Sequence, residues 1–279
     1  MKIGVHISIA GSIDKAVDRA LEKKCDTFQI FTRNPRGWKF KPLDQAKAQE
    51  FLTKLEASGI DPAVSHMPYL PNLASQNDAT FSKSVEVLAT ELDRARELGL
   101  RFVVTHLGSH VGAGKEAGFK QLIRACNSAL SNSQNDVTLL LENTAGTKNS
   151  TGGTFEDIGE IIDGIDQRNR VGVCFDTCHG FAAGYDVRTS SGLDETLKQL
   201  DTVIGLSRLK LVHLNDSAGK LGSHLDRHEH IGLGHIGSQG FKVVLHNELI
   251  RSLPLILETP IDTRRDDEEN LRRVRRLSQ

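Results

Sequence analysis

Nine side chains of the kinds that bind metal ions recur in order along this sequence. They are His66, His106, Glu142, Asp176, His179, His213, Asp226, His228 and Glu258. Imidazole with carboxylate suits divalent zinc, manganese or iron(II), and the lack of a thiolate set points away from structural zinc. Asp226 and His228 stand two apart. In an extended segment such residues point the same way, so both could grip one ion, with His179 as a third ligand. His110 and Asp216 fall among the same group. Carboxylates gathered in a partly dry site repel one another strongly, and bound cations remove that cost.

The elements that must hold these groups are short apolar runs alternating with longer amphipathic stretches, the rhythm of βα units. Eight runs read as strands: residues 2–7, 27–31, 63–65, 102–105, 137–141, 171–175, 209–212 and 253–257. Helical patterns fall at 14–23, 43–58, 80–98, 119–130, 155–165, 193–204 and 266–277. Eight such units favour one α/β domain over residues 1–279, a (β/α)8 TIM barrel, whose function sits at the C-terminal ends of its strands. Strands 3 to 8 are each followed at once by His, Asp or Glu. A single one of these is usually a solvated or capping group. Six in succession on one rim are not what apolar packing produces.

Composition narrows the class. The chain has 279 residues, 38% hydrophobic and 25% charged, which excludes a disordered chain. No apolar run approaches ~18 residues, so no membrane span is expected. The first residues enter a strand-like run without an export signal, and the expected location is cytoplasmic. Cys25, Cys126, Cys174 and Cys178 are then expected as reduced thiols. Cys174 and Cys178 flank a ligand-bearing strand end but read as buried neighbours, and Cys25 and Cys126 as helix-packing positions. The formal net charge of -1 argues against a nucleic-acid binder, unless bound metal reverses it.

Longer motifs identify a family. The stretch 172–186, GVCFDTCHGFAAGYD, resembles a signature of the endonuclease IV family, the zinc-dependent apurinic/apyrimidinic (AP) endonucleases of base-excision repair. His213-Leu214-Asn215-Asp216-Ser217, Asp226-Arg227-His228 and the Ile231-Gly232-x-Gly234-x-Ile236-Gly237 segment resemble a second. Leu141-Glu142-Asn143-Thr144-Ala145-Gly146 and His106-x-Gly108-Ser109-His110 are similar to two more, and the likeness runs through essentially the whole chain.

The resemblance implies a trinuclear zinc site, with Mn2+ or Fe2+ as possible substitutes. Glu142 would bridge two ions, His66 and His106 completing the first and Asp176, His213 and Glu258 the second. His179, Asp226 and His228 would hold the third. His110 and Asp216 are not family ligands and are expected to orient them. Three divalent ions would bring the formal charge to about +5, supplying attraction to phosphate. Two ions about 3.5–4 Å apart can share a water and lower its pKa toward ~7, making a hydroxide nucleophile beside Glu142, the catalytic candidate.

The implied substrate is double-stranded DNA with abasic sites or blocked 3′ ends. It would be cut 5′ to the abasic site to leave a 3′-hydroxyl and a 5′-deoxyribose phosphate. Arg36, Tyr69 and Leu70 take the positions of family residues that enter the base stack. An abasic nucleotide has lost its stacking, so extruding it is cheap and wedge side chains can fill the gap. Pro35, Gly37 and Met67-Pro68 are positions where the loops are expected to vary. The Gly- and hydroxyl-rich stretch 145–154 offers backbone N–H groups to a phosphate, or serves as a plain loop. Few aromatics and no exposed apolar stripe lead to the expectation of a monomer.

Two other classes compete. A sugar isomerase or epimerase on the same barrel needs one ion, held by Glu142, Asp176, His213 and Glu258. It leaves His66, His106, His179, Asp226 and His228 without a purpose. A non-catalytic metal- or DNA-binding protein would carry too little positive charge.

Overall fold

A computed structural model describes residues 1–279. Eight parallel strands form one sheet: β1 (Lys2–Val5), β2 (Phe28–Ile30), β3 (Ala63–His66), β4 (Phe102–His106), β5 (Thr138–Glu142), β6 (Val171–Asp176), β7 (Leu209–His213) and β10 (Pro254–Leu257). The order is β1-β10-β7-β6-β5-β4-β3-β2, and the parallel bridge between His6 and Gln29 brings β1 to β2. The result is a nearly closed (β/α)8 barrel. Gly4 marks the seam, because a Cβ there would stand 1.6 Å from the Thr27 carbonyl oxygen.

The principal outer helices are α1 (Lys15–Glu22), α2 (Gln45–Ser58), α3 (Asp78–Glu97), α4 (Lys115–Asn132), α5 (Phe155–Asp163), α7 (Ser190–Val203), α8 (Gly237–His246) and α10 (Asp267–Leu277). Their starts follow capping chemistry. Asp44, Asn77, Thr154 and Thr189 each accept a backbone N–H of the first turn, and Asp266 forms a reciprocal capping box with Glu269. Their apolar faces and the outward faces of the strands share the main core.

The barrel interior is a separate small core of Val64, Val104, Leu140, Cys174, Leu211 and Ile256. Each is two residues before a predicted ligand, in turn His66, His106, Glu142, Asp176, His213 and Glu258. Side chains two apart on a strand point to the same face. The six ligand candidates are therefore the next inward layer, stacked on apolar side chains at the C-terminal rim. Five of them are the last residues of their strands rather than the first of the following loops.

The sequence pattern misses three helices, α6 (Thr177–Ala183), α8 and α9 (Glu248–Ser252), and the hairpin of β8 (Asp216–Ser217) with β9 (His228–Glu229). All but the last residue of α6 are buried, so it has no polar stripe to betray a helical period. Gly237 and Gly240 lower the helix propensity of α8.

Candidate metal centre

The side chains at the rim converge into groups whose ligand atoms lie within 4.8 Å of one another. One is His66, His106 and Glu142; a second is Glu142, Asp176, His213 and Glu258; a third is His179, Asp226 and His228. Glu142 is fully buried and shared by the first two. Its Oε2 lies 3.2 Å from Nε2 of both His66 and His106, and its Oε1 lies 3.0 Å from Nδ1 of His213. His179 Nε2 is 3.0 Å from Asp226 Oδ1, and its ring stands 5.3 Å from that of His228. Cys178 lies near Asp176 and His228, but its Sγ is directed at the Arg227 carbonyl and burial pushes the thiol up to about 12. Both observations agree with its reading as a buried neighbour of the centre.

The outer nitrogens of several rings are committed. His66 Nδ1 donates to the Met67 carbonyl at 2.6 Å, His179 Nδ1 to that of Asn143 at 3.0 Å and His228 Nδ1 to that of Glu258 at 3.0 Å. In the neutral ring this turns the Nε2 lone pair inward. His228 Nε2 is buried with no hydrogen-bond partner, 3.4 Å from Asp176 Oδ2. Lone pairs facing carboxylates repel unless a cation or a proton lies between them. The donor set therefore fits divalent metal ions.

The charge balance agrees. Burial pushes Glu142 and Glu258 up, but the imidazoles, His213 foremost, outweigh it and hold both well below the usual carboxylate range. Burial works against a charged His179, but Asp176, Asp226 and Glu142 outweigh it and raise the ring well above its ordinary value.

Polar residues that the sequence reading did not single out brace the centre. Asn143 accepts the Asp176 N–H at 2.7 Å and donates to the Asp176 carbonyl at 3.2 Å. Asn215 donates to Asp176 Oδ2 at 2.7 Å and accepts the Glu258 N–H at 2.8 Å. Both stand inside the family-like motifs, one residue after Glu142 and two after His213, but nothing in the sequence assigned them a task. Gln29 is the polar exception in an apolar strand, and its amide reaches His6, His213 and Glu258. His230, also buried, pairs with Asp262 at 3.0 Å and with Asn270 at 2.9 Å, tying the segment after His228 to the loop after β10 and to α10.

Two expected orienting residues act elsewhere. His110 Nδ1 accepts the N–H groups of Gly112 and Gly114, closing its own loop. Asp216 accepts backbone N–H groups of Ser217, Gly232, Gly234, Ile236 and Gly237. Neither hydrogen-bonds to a ligand side chain. Asp216 instead shapes the chain that follows the Asp226-x-His228 segment.

The cluster opens into a cleft of about 410 Å³ walled by His6, Tyr69, Glu258, Thr259 and Ile261. A second cleft of about 340 Å³ lies across Tyr69, bounded by Leu70, Ser109, Thr144, Thr147 and Ser150, the last two from the Gly- and hydroxyl-rich loop. Tyr69 is 64% exposed and Leu70 40%, so both project from the rim instead of packing in the loop. The Tyr69 ring rests edge-on against Phe31 at 5.1 Å. Arg36 is exposed on its own loop, its N–H held by Asn34 Oδ1 at 3.0 Å. Trp38 is partly buried against the main core and anchors the same loop.

Fold and site together define a barrel with an imidazole–carboxylate centre at its C-terminal rim, and residues 17–278 match the family described as xylose isomerase-like TIM barrel. Within that class, this chain belongs to the endonuclease IV family of nucleases. It is 57% identical over 277 residues to the probable endonuclease 4 of Methanoculleus marisnigri, covering 99% of this chain and 98% of that one. It superposes on the crystal structure of endonuclease IV from Thermus thermophilus with a TM-score of 0.88 at 37% identity, covering 99% of this chain and 98% of the other. A D-tagatose 3-epimerase-like protein shares the fold alone, with a TM-score of 0.69 at 22% identity, covering 100% of this chain and 98% of its own.

Proposed function

We propose that this chain is a DNA-repair endonuclease that hydrolyses the phosphodiester bond 5′ to abasic sites, leaving a 3′-hydroxyl and a 5′-deoxyribose phosphate, and that it also clears blocked 3′ ends. The observation that carries this reading is the sharing of Glu142 between two ligand groups, with a third group beside them and one open cleft above. A sugar isomerase of the one-ion kind has no use for the first and third groups.

His66, His106 and Glu142 would hold one ion, Glu142, Asp176, His213 and Glu258 a second, and His179, Asp226 and His228 a third. Zinc suits the donor set best, and Mn2+ or Fe2+ fits the same ligands. Bound there, such ions supply Lewis acidity toward a phosphate and a water acidic enough to be deprotonated near neutral pH. The chain's own groups do the rest. Glu142 keeps two ligand groups in register from the floor of the cleft. Tyr69 and Leu70 enter the duplex from one side and Arg36 from another, filling the gap left by the missing base and holding the abasic nucleotide over the centre. The reaction adds water across the P–O3′ bond, and the proton on the departing oxygen yields the 3′-hydroxyl.

Double-stranded DNA is the partner, and we propose that the chain acts as a cytoplasmic monomer. No helix is long and apolar enough to cross a membrane. The deciding experiment is incision of a duplex carrying one tetrahydrofuran analogue, with metal content assayed on the same sample. The analogue cannot undergo β-elimination, so a cut on its 5′ side with a 3′-hydroxyl means hydrolysis. That outcome with about three metals per chain is expected. No cut with about one metal per chain would overturn the reading in favour of the sugar isomerase.

A further inference from the structure

Gln29 lies fully buried at the barrel seam, and its side-chain amide touches three residues of the site. Its Nε2 donates to Glu258 Oε1 at 2.6 Å and to His6 Nδ1 at 3.0 Å, and its Oε1 lies 2.9 Å from His213 Nε2. The orientation of the amide follows from donor and acceptor inventory. An ionised carboxylate only accepts, so the NH2 group must face Glu258. The oxygen is then left for His213, which has to donate from Nε2. A reversed amide would set oxygen against the carboxylate and NH2 against a ring nitrogen that would have to become an acceptor. His6 takes the second amide hydrogen, so every polar atom of Gln29 is used.

A neutral imidazole that donates from Nε2 carries its lone pair on Nδ1. In His213 that atom faces Glu142 Oε1 at 3.0 Å, Glu258 Oε2 at 3.3 Å and Asp176 Oδ2 at 3.9 Å. No backbone carbonyl performs this task for His213, unlike His66, His179 and His228, whose outer nitrogens donate to main-chain oxygens. The same amide restrains Glu258, the other ligand candidate on that side.

We propose that Gln29 is the positioning residue of the group formed by Glu142, Asp176, His213 and Glu258: it sets the ring orientation and tautomer of His213 and the rotamer of Glu258, so that both offer a lone pair to one ion. This rests on the metal-centre reading above. Gln29 touches neither the ion nor the substrate, and it acts through its two neighbours.

The test uses the full chain and two readouts other than catalysis. Wild type and Gln29→Met, which keeps the volume but not the hydrogen bonds, are loaded with zinc and titrated with a competing chelator. One ion of the variant should be released about 10–100-fold more readily, the scale expected when a partner of a ligand is removed. The others should be retained at wild-type affinity. Unchanged affinity for every ion would overturn the proposal. A wild type that binds no zinc would instead overturn the metal-centre reading on which it stands. Nitrogen-15 spectra of the imidazoles in zinc-loaded wild type decide the matter should the variant fail to fold. His213 is expected to carry its hydrogen on Nε2, and a hydrogen on Nδ1 with a bare Nε2 would overturn the proposal.

Discussion

Glu142 Oε1 and His213 Nδ1 face each other at 3.0 Å, and both side chains are fully buried. They reach the same point from β5 and β7, strands separated by β6. Each stands on an apolar residue two positions earlier, Leu140 beneath Glu142 and Leu211 beneath His213. A rigid interior core thus sets the height of both groups, and small errors in ligand placement are costly in such a centre.

Glu142→Gln keeps the shape but removes the charge that two ligand groups share. The variant should stay folded, by circular dichroism, and incise the tetrahydrofuran duplex roughly 10²–10³-fold more slowly or worse, the scale of losing a principal electrostatic group. Near-normal turnover would refute its catalytic role.

His228→Ala removes a ligand from the third group only. Zinc analysis should find about one ion fewer per chain, and most of the incision activity should be gone. An undiminished metal content would take Asp226-x-His228 out of the centre.

Arg36 lies outside the metal centre, so Arg36→Ala should leave metal content intact. Binding to abasic duplex should weaken by about 10-fold, within the range for loss of one well-placed contact, while single-turnover chemistry at saturating enzyme changes less. Equal binding by the two proteins would exclude insertion of this side chain into the stack.

Asp216→Asn replaces an acceptor-only group with one that has half its accepting capacity, facing five backbone N–H groups. The protein should lose about 2–3 kcal/mol of stability in urea denaturation, the scale for hydrogen bonds to a charged group. Faster hydrogen exchange should be confined at first to residues 230–237. A variant as stable as wild type would show that the loop does not depend on this carboxylate.

Acid stability should depend on Asp14, a buried carboxylate outside the metal centre. The Ser12 hydroxyl first, then Lys54 at 3.0 Å, hold it at about 2 against an ordinary 3.8, although burial opposes them. The folded-state pKa is depressed, so the unfolded chain binds the extra proton between those values. The contribution is present above about pH 4 and lost as pH falls toward about 2. With both proteins stripped of metal, the stability gap between wild type and Asp14→Asn should shrink over that window. A gap independent of pH would contradict the assignment.

The period-two alternation of extended segments and the rule that barrels carry chemistry at strand C-termini were enough to find eleven candidates without coordinates, which the family likeness narrowed to nine ligands. That reasoning depends only on neighbours along the chain, and so does the motif likeness that led to the family. It misses α6, where burial on all sides erases the helical period, and it mistakes the tasks of His110 and Asp216, whose side chains bind backbone N–H groups instead of ligand side chains. The bracing residues are invisible for a related reason. Gln29 lies 184 residues from His213 and 229 from Glu258, and Asn215 lies 39 from Asp176. Hydrogen bonds over such separations impose no periodic pattern on the chain. Local alternation thus determined which side chains point into the barrel, while closure of the barrel decided which of them meet, which nitrogen of each ring turns inward and which polar neighbours hold it there.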